Sequence, residues 1–180
     1  QQSMITPDGQ RTPMTEGFRR IKRQILDNVA HPKSGAPANL VMVTSALTGE
    51  GKTFCAINLA ISMAMERDHS VLLVDADVAK PSVPTVLGFD AGKGLMDLLL
   101  DHRIDPSELL CKTDIGKLSL LPAGTAHQRA TELLASDAMR ALQIAGPQSA
   151  AQSVIGAVGN GQHFVVVAER GHGDERAEHF

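Results

Sequence analysis

A short segment in the first third of the chain has the residues and the spacing of a phosphate-binding loop. Residues 46–53 read ALTGEGKT, which fits the pattern G-x-x-x-x-G-K-[ST] with Ala46 in place of the first glycine. Glycines let the backbone wrap around phosphate oxygens, and a following helix directs its free N–H groups at the same anion. Lys52 would then bridge the β- and γ-phosphates of a nucleotide, and the Thr53 hydroxyl would bind Mg²⁺. The alternative is a glycine-rich turn with an exposed lysine.

Two carboxylates follow the next apolar run of the chain. Residues 71–74 read VLLV and lead into Asp75-Ala76-Asp77, so both acidic side chains are expected at the carboxyl edge of a sheet, beside the loop. Strand alternation places them on the same side. Two oxygen ligands there suit Mg²⁺ bound to phosphates, and one carboxylate could also accept a proton from an attacking hydroxyl. The alternative is that Asp75 and Asp77 only cap the turn that follows.

These residues need a sheet and a helix to position them, and the hydrophobic pattern predicts both. Residues 40–44 and 71–74 are predicted to be buried strands, and residues 53–65, apolar on almost all sides, are predicted to be the helix between them. A right-handed crossover makes the two strands parallel, and a doubly wound α/β sheet follows. Further along we predict a short helix at 94–100, a strand at 118–121, a helix at 130–142 and a strand at 164–167.

The two ends of the chain differ from its middle. Residues 1–13 are predicted to form an extended arm, and Thr15 is predicted to cap an amphipathic helix over residues 16–29. The basic face of that helix is either solvated or a contact surface for another protein. From residue 143 to residue 162 Ala, Gly, Gln and Ser dominate. We expect a single domain over residues 14–180.

Composition excludes several classes of protein. The 180 residues carry 17 Lys and Arg against 20 Asp and Glu, a net charge of −3, with neither Trp nor Tyr, which argues against a nucleic-acid partner. Cys55 and Cys111 show neither the spacing of a zinc site nor that of a disulfide framework. No apolar run reaches the roughly 20 residues of a membrane span. A reducing, cytoplasmic location fits best.

Taken together, the motifs resemble one known family. Residues 45–53 (SALTGEGKT) and 71–81 (VLLVDADVAKP) are similar to the bacterial tyrosine autokinases, or BY-kinases, of exopolysaccharide loci. Weaker matches are GLMD at 94–97, LLPAG at 120–124 and HQRATELLAS at 127–136. The last of these resembles the subgroup associated with exosortase and PEP-CTERM systems.

The resemblance implies an ATP-dependent protein-tyrosine kinase with a P-loop NTPase fold, whose doubly wound and mainly parallel sheet is flanked by helices. It implies that Lys52 and Thr53 hold phosphate and Mg²⁺, and that Asp77 helps to hold the metal. Asp75 would be a further metal ligand and the base for the tyrosine hydroxyl. We therefore expect catalytic roles for Lys52, Asp75 and Asp77. We expect contacts with ATP from Thr48, Gly49, Glu50, Gly51, Lys52, Thr53 and Phe54.

The same resemblance implies partners. Glu16, Arg19 and Lys22 are similar to the family's E-x-x-R-x-x-R subunit-contact motif, with Lys in the last Arg place, and imply a homo-oligomer. The activating partner would be the cytosolic segment of a membrane polysaccharide-export protein, which would recruit the chain to the inner face of the membrane. Because the 180 residues contain no Tyr, the substrate would be a tyrosine-containing protein that is phosphorylated in trans.

The last part of the chain departs from the family pattern. The family has a third acidic motif, an apolar strand that ends in Asp, and a tyrosine-rich tail, whereas the strong apolar run here is 164–167 with Glu169 beyond it. Two alternatives therefore stay open. One is an ATPase switch of the chromosome-partition or septum-positioning type, and the other is a nucleotide-binding remnant without kinase activity. Leu47 stands where the partition ATPases carry a signature lysine, which favours the kinase.

Overall fold

One mixed β-sheet organises the part of the chain that the structure describes. The computed structural model describes residues 4–6, 9–31, 39–101, 103–134 and 163–169. In these residues the strands lie side by side in the order β1-β5-β2-β4-β3. The elements in chain order are α1 (Pro13–Ala30), β1 (Leu40–Val43), α2 (Lys52–Ala64), β2 (His69–Asp75), α3 (Val83–Leu87), α4 (Leu95–Leu100), a 3₁₀ turn (Pro106–Leu109), β3 (Cys111–Lys112), β4 (Leu118–Leu121), α5 (Ala130–Leu134) and β5 (His163–Glu169).

The strand directions follow from the pairing. β2 pairs in parallel with β4, with Val71 opposite Leu118. β5 lies between β1 and β2 and runs antiparallel to both, so β1, β2 and β4 all point the same way. The predicted common direction of β1 and β2 is confirmed, although the two strands are not neighbours. β3 pairs antiparallel with β4 at the edge of the sheet.

Side-chain alternation divides the apolar core between the two faces of the sheet. Val71 and Leu73 of β2 and Leu120 of β4 lie on one face, in the same cluster as the buried side chains of α2. Val74 and Leu121 lie on the other face, with the buried side chains of α4. Because helices cover both faces, the predicted doubly wound α/β class is confirmed.

The predicted start of the first helix is wrong by three residues. α1 begins at Pro13, and Thr12 is its N-cap. The Thr12 hydroxyl accepts the N–H of Thr15 at 3.2 Å, and the Thr15 hydroxyl accepts the N–H of Thr12 at 2.8 Å. This reciprocal pair satisfies two backbone donors, and Pro13 suits the first helical position because it lacks an N–H. The last residue of the predicted arm is therefore the first residue of α1.

α1 lies against α2. Phe18 contacts Phe54 edge to face, with ring centroids 6.5 Å apart. Lys22 is buried and forms an ion pair with Glu66, just beyond α2. Arg19 pairs with the adjacent Glu16 of α1 at 3.2 Å, and both side chains are more than 40% exposed. Of the three residues predicted to form a subunit contact, Lys22 is therefore engaged within the chain.

Some predictions fall outside the described residues. The helix predicted over residues 130–142 is described only as α5, and the segment 143–162 is not described at all. No helix of the described part is long and apolar enough to cross a membrane.

Candidate functional site

The loop predicted to bind phosphate connects β1 to α2. Gly49 and Gly51 both have φ of +91°, a left-handed conformation that glycine adopts without strain. Gly51 is also the N-cap of α2 and brings no capping side chain. The first N–H groups of this 13-residue helix and the positive end of its dipole therefore point to the space above the loop.

Two side-chain hydrogen bonds close the loop from within. Oε2 of Glu50 accepts the N–H of Leu47 at 3.0 Å, and the Ser45 hydroxyl donates to the Leu47 carbonyl at 3.0 Å. The side chain of Glu50, which was predicted to contact the nucleotide, thus stabilises the conformation of the loop. Thr48, predicted to contact it as well, is exposed.

Lys52 and Asp77 meet directly. Nζ of Lys52 lies 2.8 Å from Oδ2 of Asp77, and the two side chains are only 16% and 6% exposed. The other oxygen of Asp77 accepts the N–H of Lys80 at 3.2 Å. Because a buried charge needs a partner, a phosphate that binds Lys52 must share its ammonium group with Asp77 or replace that carboxylate. The catalytic roles assigned to both residues stay predictions.

Asp75 has a different environment. It ends β2 and is fully buried. One carboxylate oxygen accepts the N–H of Asp77 at 3.2 Å, and the other accepts those of Ser82 and Val83, each at 3.1 Å. These bonds draw residues 76–83 back over the strand end and fix the start of α3. Asp75 therefore caps the turn that follows β2, as the alternative interpretation of the sequence expects. Its roles as base and metal ligand stay predictions.

A cavity of about 380 Å³ opens beside the loop. The hydroxyls of Thr53 and Ser82 lie 3.0 Å apart on its polar side. Sequence reasoning did not identify Ser82, Met4 or Val86, because no motif marks them and only the tertiary fold brings them to α2. The cavity is lined by Met4, Gly49, Gly51, Lys52, Thr53, Phe54, Ser82 and Val86.

The oxygen donors at this place suit a magnesium ion. Mg²⁺ prefers hard oxygen ligands and usually binds proteins through one or two side chains together with substrate phosphates. The Thr53 hydroxyl lines the cavity, and the Asp77 carboxylate lies next to Lys52. Thr53 and Asp77 are therefore the residues that would hold an ion arriving with a nucleotide, and this assignment stays a prediction. The oxygens of Asp75 and of Asp77 already accept hydrogen bonds within the chain.

Two of the weaker sequence motifs come together beside the sheet. The GLMD segment begins α4, and the LLPAG segment ends β4. The N–H of Leu95 donates to the Pro122 carbonyl at 2.8 Å, and the N–H of Met96 donates to the Ala123 carbonyl at 2.9 Å. This contact fixes the start of α4 to the carboxyl edge of β4.

Asp97 strengthens the same contact. Its carboxylate accepts the N–H groups of Gly94 and Thr125 at 2.9 and 3.0 Å and the hydroxyl of Thr125 at 2.9 Å. Burial alone would raise the pKa of Asp97, but the hydrogen bonds from Thr125 and Gly94 outweigh it and lower that pKa. Asp97 is therefore a structural carboxylate, and it is most stabilising when ionised.

The apolar run near Glu169 does not bring that acid to the loop. In the pairing of β5 with β2, His163 lies opposite Asp75 and Glu169 lies opposite His69. Six steps of about 3.3 Å place Glu169 about 20 Å from the loop edge of the sheet. β5 thus runs between β1 and β2 with His163 at its loop end.

A glycine loop between a strand and a buried helix, on a sheet with helices on both faces, defines a P-loop NTPase fold. In agreement, the ParA family model, described as "NUBPL iron-transfer P-loop NTPase", matches residues 37–121. The match spans β1 to β4 and so includes the loop and both aspartates.

Similarity to individual proteins indicates a narrower class than the family model does. The succinoglycan biosynthesis transport protein ExoP of Rhizobium meliloti (strain 1021) is 36% identical over 141 residues, which are 76% of this chain and 17% of ExoP. The tyrosine-protein kinase YwqD of Bacillus subtilis (strain 168) is 33% identical over 120 residues, 67% of this chain and 50% of YwqD. Among solved structures, the kinase domain of VpsO has a TM-score of 0.53 at 28% identity, covering 71% of this chain and 63% of that one.

The chain spans half or less of the length of these two curated relatives. The similarities relate it to bacterial tyrosine kinases of polysaccharide loci.

Proposed function

We propose that this chain is the catalytic domain of an ATP-dependent protein-tyrosine kinase that regulates exopolysaccharide synthesis and export. The observation that carries the proposal is the buried contact between Lys52 and Asp77 at 2.8 Å, beside a loop with two left-handed glycines. The similarity to YwqD, a tyrosine-protein kinase, supports the reaction. The similarity to ExoP, a succinoglycan biosynthesis transport protein, supports the process.

In the proposed reaction, the tyrosine hydroxyl oxygen forms a bond to the γ-phosphorus of ATP. The bond from that phosphorus to the β,γ-bridging oxygen breaks, and ADP leaves. Lys52 and the loop N–H groups hold the phosphates and offset their charge, which is most of what a protein contributes to phosphoryl transfer. When Mg²⁺ is bound through Thr53 and Asp77, it supplies additional charge neutralisation.

The proton of the tyrosine hydroxyl needs an acceptor, and our prediction assigns it to Asp75. Because the carboxylate of Asp75 accepts the N–H groups of Ser82 and Val83, this role requires residues 76–83 to shift when the substrates bind. Asp75→Asn separates the two roles. If Asp75 is the base, phosphate transfer at saturating ATP falls about 100-fold or more in this variant. If Asp75 is only a structural carboxylate, transfer at saturating ATP is retained, and only the stability and the affinity for ATP fall.

The resemblance of the sequence also supports proposals on the subgroup, the location and the self-association of the chain. The HQRATELLAS segment supports the exosortase-associated subgroup. We propose recruitment to the inner face of the membrane by the cytosolic segment of an export protein, and self-association through the surface that carries Glu16 and Arg19. We further propose that residues 14–180 form a single domain.

A phosphate-transfer assay tests the proposed function. The chain is incubated with Mg²⁺ and ATP and with a tyrosine-containing peptide, and phosphotyrosine is measured against a matched peptide with Phe in place of Tyr. We expect transfer to the tyrosine peptide and none with Lys52→Met. ATP hydrolysis without phosphotyrosine would instead support the partition-type switch, and failure to bind ATP would support the remnant.

A further inference from the structure

The cavity beside the phosphate loop has a second side of different chemistry. Besides the polar residues, the lining includes three residues whose side chains carry a thioether, a phenyl ring and an isopropyl group. Phosphates alone do not need an apolar surface, whereas ligand pockets combine such a surface with a few polar groups. This second side, which we name the apolar wall, consists of Met4, Phe54 and Val86.

Two of the three wall residues belong to helices. Phe54 follows Thr53 in the first turn of α2, and its ring is held by the edge contact with Phe18 of α1. Val86 belongs to α3 and is 46% exposed. α3 is in turn anchored through the N–H of Val83 to Asp75. In this structure the contacts with Phe18 and Asp75 therefore position two of the three wall residues.

Met4 is held in place by a buried asparagine. Asn58 of α2 is fully buried, and its Oδ1 accepts the N–H of Ile5 at 2.7 Å. Its Nδ2 donates to the Phe54 carbonyl at 2.8 Å and to the Met4 sulfur at 3.4 Å. Ile5 itself is only 6% exposed. These hydrogen bonds thus hold Met4 and Ile5 against α2, the helix that follows the phosphate loop.

We propose that the apolar wall binds the aromatic ring of the tyrosine that accepts the phosphate, an inference that rests on the proposed kinase function. The wall adjoins Lys52 and Thr53, which are expected to hold the terminal phosphates. The base of ATP is separated from the γ-phosphate by a ribose and two phosphates. A ring that binds in the same cavity as Lys52 would therefore bring its hydroxyl close to the γ-phosphorus.

The size and chemistry of the cavity suit this occupant. Its volume of about 380 Å³ lies in the range of roughly 300–1,000 Å³ that is usual for ligand pockets. Aromatic edges and a thioether both make favourable contacts with a phenol ring. Because the 180 residues contain no Tyr, the ring comes from outside them.

A titration followed by nuclear magnetic resonance tests the wall without requiring catalysis. The full chain, labelled with ¹³C at the methionine methyl groups, is titrated with N-acetyltyrosine amide. We expect the Met4 signal to shift through the ring current of the ligand and to saturate. Met65, which is 45% exposed at the far end of α2, is the internal control, and its signal should not shift. N-acetylserine amide, the control ligand, should shift neither the Met4 signal nor the Met65 signal. An unchanged Met4 signal would overturn the inference.

Steady-state kinetics then separate the acceptor from the nucleotide. In Met4→Gln we expect the KM for a tyrosine peptide to rise about 10-fold, with the affinity for ATP within about twofold of the parent, while Met65→Gln changes neither. A loss of ATP affinity with unchanged peptide KM would assign the wall to the nucleotide base and overturn the inference. If no phosphate is transferred at all, the proposed function fails, and the Met4 titration still decides whether the wall binds a phenol ring.

Discussion

At the scale of single residues, the two aspartates that look equivalent in sequence have different environments. Asp77 pairs with Lys52, whereas the oxygens of Asp75 accept backbone N–H groups from Asp77, Ser82 and Val83. The sequence was sufficient to predict that the aspartates lie beside the loop, because a strand end and a glycine loop share one edge of the sheet. The direct contact between Lys52 and Asp77 was not predicted. The sequence did not predict that the two aspartates have different environments. β2 ends at Asp75, so the alternation of side chains along a strand no longer applies at Asp77.

The first prediction, also at the residue scale, concerns Asp97 and pH. The pKa of Asp97 is lowered in the folded chain, so this carboxylate contributes stability above the pKa it has in the unfolded chain, near 3.8. That contribution is lost as the pH falls through the lower, folded pKa. Urea unfolding at pH 6 and near pH 3 should show that Asp97→Asn loses less stability on acidification than the parent.

The variant Thr125→Val serves as the comparison for Asp97. It removes only the hydroxyl donor to the same carboxylate and should change the pH dependence in the same direction by a smaller amount. Equal losses of stability on acidification in the parent and in Asp97→Asn would contradict the role assigned to this carboxylate.

At the scale of elements, segments with a clear apolar pattern were predictable and segments without one were not. β1, α2, β2 and β4 lie where the hydrophobic pattern places them. α3 has five residues and β3 has two, and such pieces depend on tertiary contacts. α3, for example, starts where Asp75 accepts two N–H groups at its N-terminus.

The second prediction, at the element scale, concerns the contact between α4 and the end of β4. A Cβ at Gly94 would clash with the Pro122 carbonyl oxygen and lie 2.7 Å from the Gly124 nitrogen, both of which are backbone atoms. Gly94→Ala should therefore lower the free energy of unfolding by about 1–3 kcal/mol. Gly92→Ala is the matched control, since a Cβ there has no neighbour within 4 Å. Equal stability of the two variants in urea would contradict the packing described for α4.

At the scale of the whole molecule, the mixed sheet combines the predicted fold class with one strand whose direction was not predicted. Helices cover both faces, and three of the strands share one direction, as the sequence predicts. β5 is inserted between β1 and β2 in the opposite direction. Its apolar residues predict a strand, but neither its direction nor its neighbours can be derived from the local sequence, because strand pairing is a non-local choice.

The third prediction follows from the direction of β5. Glu169 lies opposite His69, at the edge of the sheet away from the loop. Glu169→Gln should therefore leave the Mg²⁺-dependent affinity for ATP within about twofold of the parent, a change of less than about 0.5 kcal/mol. A tenfold or larger loss by calorimetry, with retained secondary structure, would contradict the strand direction described for β5.

The central claim is that Lys52, Thr53 and Asp77 form a site for ATP and Mg²⁺ at the glycine loop. Calorimetric titration of the chain with ATP, with and without Mg²⁺, measures it most directly, alongside Lys52→Met and Asp77→Asn checked for folding by circular dichroism. The account predicts binding that depends on Mg²⁺ in the parent and is at least about tenfold weaker in both variants, a loss of about 1.4 kcal/mol or more. A parent that binds no ATP, or folded variants that bind it equally well, would contradict the account.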